Sequence, residues 1–412
     1  MSNLVYQNDE LSFAGIALGQ LAKTYGTPLY VYASHMIVAN FNAFKNAFTH
    51  PHYKIAYAVK ANSNIAILKI LNALGAAFDI VSAGELDRVI KAGGDPKNVI
   101  FSGIGKREDE IANALQLGVG CFDVESIAEL QRINSLAQAQ SMIANVALRI
   151  NPDVDAKTHP HISTGLLQNK FGIALNSLYA FVDELKTLTH INLIGLAAHI
   201  GSQITSIEPY QQSIKTLLTV ATTLKAQGHR IEKINVGGGY GVQYADENPP
   251  SIATFIAAIC AAFIDLPYEI IIEPGRAIIA DAGVLLTRVE YLKQNEQKNF
   301  AIVDAGMTDL LRPTLYDAWQ NILPATHHAN ISAKQYDVVG PVCESADFLG
   351  RNRRLAIKQA DYLVITHAGA YGYAMSSNYN ARLRPAEVLI EEQTYKLIRR
   401  RETLKDLNAL DI

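Results

Sequence analysis

Cysteine is scarce. Only Cys121, Cys260 and Cys343 occur in 412 residues, with no CxxC spacing, so the chain does not read as a secreted domain stapled by disulfides. The opening stretch MSNLVYQNDELSFAG has no basic segment followed by an apolar one, the pattern of a signal peptide. Long hydrophobic runs are missing too. The most apolar stretch, IATFIAAICAAFI from Ile252 to Ile264, is too short to span a bilayer and reads as a buried helix. Charge of one sign is also absent: 36 Lys and Arg against 39 Asp and Glu leave a formal net charge of −3, with neither a basic stripe for nucleic acid nor a polybasic membrane anchor. A cytoplasmic protein is expected, with small molecules as partners and no nucleic acid or membrane. No internal repeat or low-complexity linker appears.

What is present is length and apolar content. A chain of 412 residues, 49% hydrophobic, exceeds what one core usually holds and implies two domains. Short apolar runs alternate with amphipathic helical stretches: KIAYAVK (54–60), AAFDIVS (76–82), NVIFSG (98–103), GCFDV (120–124), IANVALRIN (143–151), INLIGLAAHI (191–200), KINVGG (233–238) and YEIIIEPG (268–275). Alternation of this kind means a parallel sheet with right-handed crossovers. Eight units in roughly 220 residues fit a closed (β/α)8 barrel of the TIM type better than an open doubly wound sheet. After Gly275 the rhythm changes to β-rich pieces without regular helices. The expected division is a barrel over 34–277 and a mainly β domain over 278–412, to which 1–33 contributes a strand from TPLYVYA.

Unusual residues fall at the C-terminal rim of this barrel, where such folds build active sites. Lys60 ends the first strand, His199 the sixth, the triple glycine Gly237, Gly238 and Gly239 follows the seventh, and Glu273-Pro274-Gly275-Arg276 ends the eighth. Each has a plain alternative: a solvated lysine at a strand end, a core histidine, a tight turn needing positive φ. The glycines match neither GxGxxG, because Val242 fills the last position, nor a P-loop. Bare amides there, with the Gly275 and Arg276 amides, can nonetheless donate to a phosphate. A phosphate site, a lysine whose desolvation would free a neutral amine and a carboxylate able to hold a pyridine nitrogen together suggest pyridoxal 5'-phosphate.

YAVKAN, RINPDVDAKTHPHISTGLLQNKFGI, HIGSQI, VGGGYG, EPGR, DAGMTDLLRPTLYDAWQ, VVGPVCESADFLG and GAYGYAMSSNYNARLRPAEVL, in this order along nearly the whole chain, resemble the diaminopimelate decarboxylase family of the alanine-racemase-like pyridoxal-phosphate enzymes. The resemblance implies a carboxy-lyase that converts meso-2,6-diaminopimelate to L-lysine and carbon dioxide, the last step of lysine biosynthesis. It implies that Lys60 holds the cofactor, that His199 stacks on it, and that Ser202, Gly239, the Glu273 to Arg276 segment and Tyr371 surround it. Arg276, Arg312, Tyr316, Glu344 and Tyr371 would bind substrate, and Cys343 would donate a proton, in a homodimer whose sites the CES segment completes across the interface. His161 departs from the family, where tyrosine is expected. Two other readings stand beside this one: a decarboxylase of ornithine, arginine or carboxynorspermidine, and a non-catalytic pyridoxal-phosphate-binding barrel. The first meets two arginines that would repel a cationic substrate tail, and the second has no counterpart for the C-terminal third.

Overall fold

The computed structural model describes residues 3–412 apart from 157–158, 160–161, 163 and 167; the departure at His161 therefore lies outside the described residues. Backbone contacts divide the chain into two units. One comprises Asn40–Val242 and Glu247–Ala277, the other Met1–Ala39, Gln243–Asp246 and Ile278–Ile412.

The first unit is a closed ring of eight parallel strands: β1 (Tyr53–Ala58), β2 (Ala77–Ile80), β3 (Val99–Phe101), β4 (Cys121–Val124), β5 (Ala144–Asn151), β6 (Ile191–Ala197), β7 (Lys233–Asn235) and β8 (Glu269–Ile272). Closure is made by β8 on β1, with Ile270 opposite Tyr53, and by β4 on β5, with Phe122 opposite Val146. The sequence dictates where each strand stops. Asn64, Ser82 and Ser126 follow the first, second and fourth strands and accept hydrogen bonds from the amides of Ala66, Glu85 and Glu129, which starts the next helices, Ile65–Ala73, Ala83–Lys91 and Ile127–Ala139. Phe78, Phe101 and Phe122 are fully buried, and the last two stack. Inside the ring, small side chains set the width. Ala56, Ala77, Ile100 and Ile271 pack as one cluster and Cys121, Ala147 and Ile194 as another. Lys60 departs from the sequence reading in detail. β1 ends at Ala58, and Lys60 sits in the single turn Val59–Ala61 that follows.

The second unit centres on the long strand Gly283–Gln294. Leu29–Ala33 pairs with its first half on one side and Tyr362–Ile365 on the other, while Asn299–Val303 pairs with its second half. Ala386–Glu391 joins Leu29–Ala33 in parallel. Leu29, Val31, Val284, Leu286, Val364, Val388 and Ile390 form its core with Leu11, Phe13 and Leu21 from the first residues of the chain. No helix among the described residues is long and apolar enough to cross a membrane.

Leu286 is fully buried between two strand neighbours, so Leu286→Ala leaves a cavity that the sheet cannot close. A loss of about 2 to 5 kcal/mol is expected, measured as a lower denaturant midpoint; an unchanged midpoint would show that this core repacks freely.

Candidate active site

All eight strands contribute to one cavity of about 340 Å3 in the barrel unit. Lys60, Asp79, Ser102, Asp123, Arg149, His199, Asn235 and Glu273 line it, each at the C-terminal end of its strand or just beyond. Three of these, Lys60, His199 and Glu273, and their place at strand ends follow from the sequence reading. Asp79, Asp123, Arg149, Asn235 and Ser102 were not singled out there, although a readable signal existed. Each is a polar residue inside or at the end of an otherwise apolar strand, as in AAFDIVS, GCFDV and KINVGG.

The cavity is acidic. Lys60 Nζ pairs with Asp79 Oδ2, and Asp79 is fully buried with Oδ1 lacking a hydrogen-bond partner among the described residues. Asn235 organises the rest. Its Oδ1 accepts from the Gly237 amide at 3.0 Å, so its NH2 group must face the carboxylates, donating to Glu273 Oε1 at 2.6 Å and approaching Asp123 Oδ2 at 3.5 Å. Burial, followed by the charges of Asp79 and Asp123, pushes the Glu273 carboxyl up to about 8. Burial and Asp79 push Asp123 up to about 7. Burial first, then Lys60 and Arg149, hold His199 well below the usual imidazole range. Its Nδ1 accepts from the Gly238 amide at 3.1 Å, so the neutral ring carries its proton on Nε2.

These bonds correct the expectation for the triple glycine. Gly237 and Gly238 do not offer bare amides to a phosphate, because Asn235 and His199 already accept from them. Their role is steric. A Cβ at Gly237 would overlap the Ala198 carbonyl, and one at Gly238 the Glu273 carbonyl. Gly239, at φ +94°, is the glycine of the three whose amide has no hydrogen bond among the described residues, although its carbonyl accepts from Ile204. Close by, Gln203 clamps the loop, donating to Val242 O at 2.5 Å and accepting from Val242 N at 3.2 Å. Arg276 Nη2 donates to Ser202 Oγ at 2.9 Å. Gly275 packs on Ala58 and Ala61.

Arg312, Tyr316, Cys343, Glu344 and Tyr371 belong to the other unit. Arg312 is 5% exposed, and its guanidinium lies 4.2 Å from the Tyr244 ring centre. It opens the short helix Arg312–Tyr316. Cys343 is exposed. Its amide donates to Asn380 Oδ1 at 2.8 Å, and Glu344 Oε1 accepts from the Tyr379 hydroxyl at 2.6 Å. Asp347 anchors this loop by accepting from the amides of Val342 and Met307 at 2.8 and 2.6 Å. Tyr371 holds a positive φ of 55°.

Residues 34–280 match the family model for the pyridoxal-dependent decarboxylase pyridoxal binding domain. Diaminopimelate decarboxylase of Pseudomonas aeruginosa is 48% identical over 410 residues, 99% of this chain and 98% of that protein. The chain belongs to the diaminopimelate decarboxylase family. Two solved structures of the family, both with L-lysine, superpose on it. That from Helicobacter pylori does so at a TM-score of 0.91 and 40% identity, covering 95% of this chain and 98% of its own. The enzyme from M. jannaschii gives 0.93 and 37%, covering 100% and 98%. Pyridoxal phosphate is the cofactor of the family, and the cavity suits it. An Asp79 carboxylate oxygen that is buried without a partner among the described residues and the buried Glu273 carboxyl fit a cationic heterocycle, and the Lys60 amine lines the same cavity.

The raised carboxyls make a pH prediction for the cofactor-free protein. A carboxyl whose folded value exceeds its unfolded value stabilises the fold fully below the ordinary carboxylate range near 4, and that contribution is lost as pH rises through the folded value. Asp123 and Glu273 therefore withdraw stability as pH climbs through about 7 and about 8. The expected result is a melting temperature that falls by several degrees between pH 5 and 9, with a shallower fall in Glu273→Gln. Identical slopes in the two proteins would mean that Glu273 titrates normally.

Proposed function

We propose that this chain releases carbon dioxide from one end of meso-2,6-diaminopimelate and leaves L-lysine. The reading is carried by a cavity built from all eight strands, in which one lysine amine sits against buried carboxylates, in a chain nearly half identical to a diaminopimelate decarboxylase. L-lysine, bound in the two related structures, is the product this reaction would form.

Lys60 is the amine that holds the cofactor aldehyde. Pyridoxal phosphate, when bound, supplies an electron sink for the pair left behind as carbon dioxide departs. Glu273 keeps the ring nitrogen protonated, and Oε2 is the atom for that contact, because Asn235 occupies Oε1. His199, neutral and anchored through Nδ1, presents a flat uncharged ring for stacking. Ser202, Gly239, Gly275, Arg276 and Tyr371 hold the phosphate, with Gly237 and Gly238 shaping the loop.

Substrate chemistry explains the remaining roles. Diaminopimelate has an amino-acid group at each end, so its distal end needs cations for the carboxylate and an acceptor for the ammonium. Arg276 and Arg312 supply planar forks for carboxylate, Glu344 accepts from the ammonium, and Tyr316 and Tyr371 add hydroxyls. Cys343 returns a proton from its thiol to the α-carbon. Ornithine and arginine end in a cation and would be repelled by the same arginines. Cys343 and Glu344 serve the site of a partner chain, so that a two-fold dimer holds two composite sites.

Carbon dioxide release measured side by side should be fast with meso-diaminopimelate and negligible with ornithine or arginine. Arg312→Met should lower kcat/KM for diaminopimelate about 100-fold, the loss of a charge-assisted pair worth about 3 kcal/mol, while bound cofactor stays at the wild-type level. Equal loss of cofactor and turnover would reassign Arg312 to the cofactor.

The composite site has its own test. Lys60→Ala and Cys343→Ala chains, each inactive, should recover about one quarter of wild-type activity after subunit exchange, because half the dimers are mixed and each mixed dimer holds one intact site. A mixture that stays inactive, with exchange verified by mass, places Cys343 in the site of its own chain.

A further inference from the structure

Asp123 has no part in the roles above, yet it is 3% exposed, lines the same cavity as Lys60 and Glu273, and meets no cationic side chain directly among the described residues. Its neighbours are Ser102, whose hydroxyl lies 3.4 Å from Oδ2, and the Asn235 amide at 3.5 Å. The cations around it are committed. Lys106 Nζ bonds to Glu129 Oε1 at 2.6 Å and to the Asp123 backbone carbonyl at 2.7 Å, and Arg149 Nη1 bonds to Glu125 Oε1 at 2.6 Å. Lys60 is paired with Asp79. These three cations each have a carboxylate of their own, and Arg276, after the eighth strand, donates to the Ser202 hydroxyl; among the described residues this leaves Asp123 and Glu273 as two acids with one neutral amide between them. His199 adds no charge.

We infer that Asp123 is a positioning residue for Glu273, setting through the shared Asn235 amide the pH at which Glu273 gives up its Oε2 proton to receive the cofactor's ring nitrogen. The inference rests on the assignment of Glu273 to that nitrogen. The geometry fixes the direction of the effect. The Gly237 amide holds Asn235 with its NH2 toward both acids, and an NH2 group donates but cannot accept. The proton of a neutral Glu273 must then sit on Oε2, the oxygen that Asn235 leaves open. Binding a protonated ring nitrogen requires that proton to pass to solvent, so Glu273 becomes the carboxylate and the ring keeps its own proton. An ionised Asp123 nearby opposes this loss, in accord with the upward displacement of both acids.

The consequence is unusual for a buried polar residue, since its removal should improve ligand capture on the acid side. The test uses pyridoxine 5'-phosphate, which has the ring and the phosphate but no aldehyde, so that Lys60 amine chemistry does not contribute. Its affinity for the cofactor-free chain is followed by calorimetry from pH 5.5 to 9.5, the ligand's own ionisations being common to all variants. Wild type should show an affinity that rises with pH through the Glu273 transition. In Asp123→Asn the midpoint should fall by about one pH unit, so that at pH 6.5 the variant binds about tenfold tighter than wild type. Glu273→Gln should lose the transition. Should Asp123→Asn fail to fold, Ser102→Ala removes only the hydroxyl that favours the Asp123 anion and should move the midpoint the same way by a smaller amount. A wild-type midpoint in Asp123→Asn, with the transition lost in Glu273→Gln, overturns the inference and leaves the role of Glu273 standing. A wild-type transition in Glu273→Gln shows that Glu273 does not meet the ring, and both readings fall.

Discussion

The side-chain amide of Asn235 is the constraint on which the barrel site depends. One oxygen accepts from the Gly237 amide, and one NH2 group faces Glu273 and Asp123. A single planar group thus joins the end of the seventh strand, the glycine loop after it and the acid after the eighth. Because an amide has distinct ends, the Gly237 bond decides which end the acids see. Reversing it would aim an oxygen at two carboxylates. The neighbouring Gly238 amide does the same for His199, fixing the neutral tautomer through Nδ1. The backbone of the glycine loop therefore orients two side chains, which is why two of its three amides are spent inside the protein.

Burying acids is costly unless something offsets their charge. Asp79 is matched by Lys60, and Glu125 and Glu129 by Arg149 and Lys106. Among the described residues, Asp123 and Glu273 have only amide and hydroxyl partners. A cavity with two such acids is poised for a cationic ligand, and the stability it withholds from the empty fold is returned when that ligand binds. Perturbed acids concentrated in one cleft are what a functional site requires. The carboxylates sit on strand ends, where the barrel holds them rigidly.

The other unit holds its candidate residues differently. Cys343 and Glu344 lie on a loop, and their positions come from hydrogen bonds rather than from strand pairing. Asp347 accepts from two backbone amides, Asn380 accepts from the Cys343 amide, and Glu344 Oε1 accepts from the Tyr379 hydroxyl. The thiol stays exposed while its backbone is fixed. Arg312, by contrast, is buried against the Tyr244 ring, where a guanidinium keeps its fork in one plane.

Local pattern determined a good deal. The eight apolar runs, the glycines and capping residues that end them and the change of rhythm after Gly275 specify a closed parallel barrel followed by β structure, because strand and helix periodicities are short-range properties of the chain. The rim positions of Lys60, His199 and Glu273 follow from the same count, and the ordered motifs carry the family. Tertiary structure alone decided the rest. That Asp79, Asp123 and Glu273 share one cavity depends on strand curvature bringing residues about 200 positions apart together. The Gly237 and Gly238 amides could not be recognised as occupied without the side chains of Asn235 and His199 in place. The burial of Arg312 likewise needed Tyr244, nearly 70 residues earlier. Sequence specifies which groups are present and which elements carry them; which hydrogen bonds are already taken, and which charges go unmatched, is a property of the closed fold.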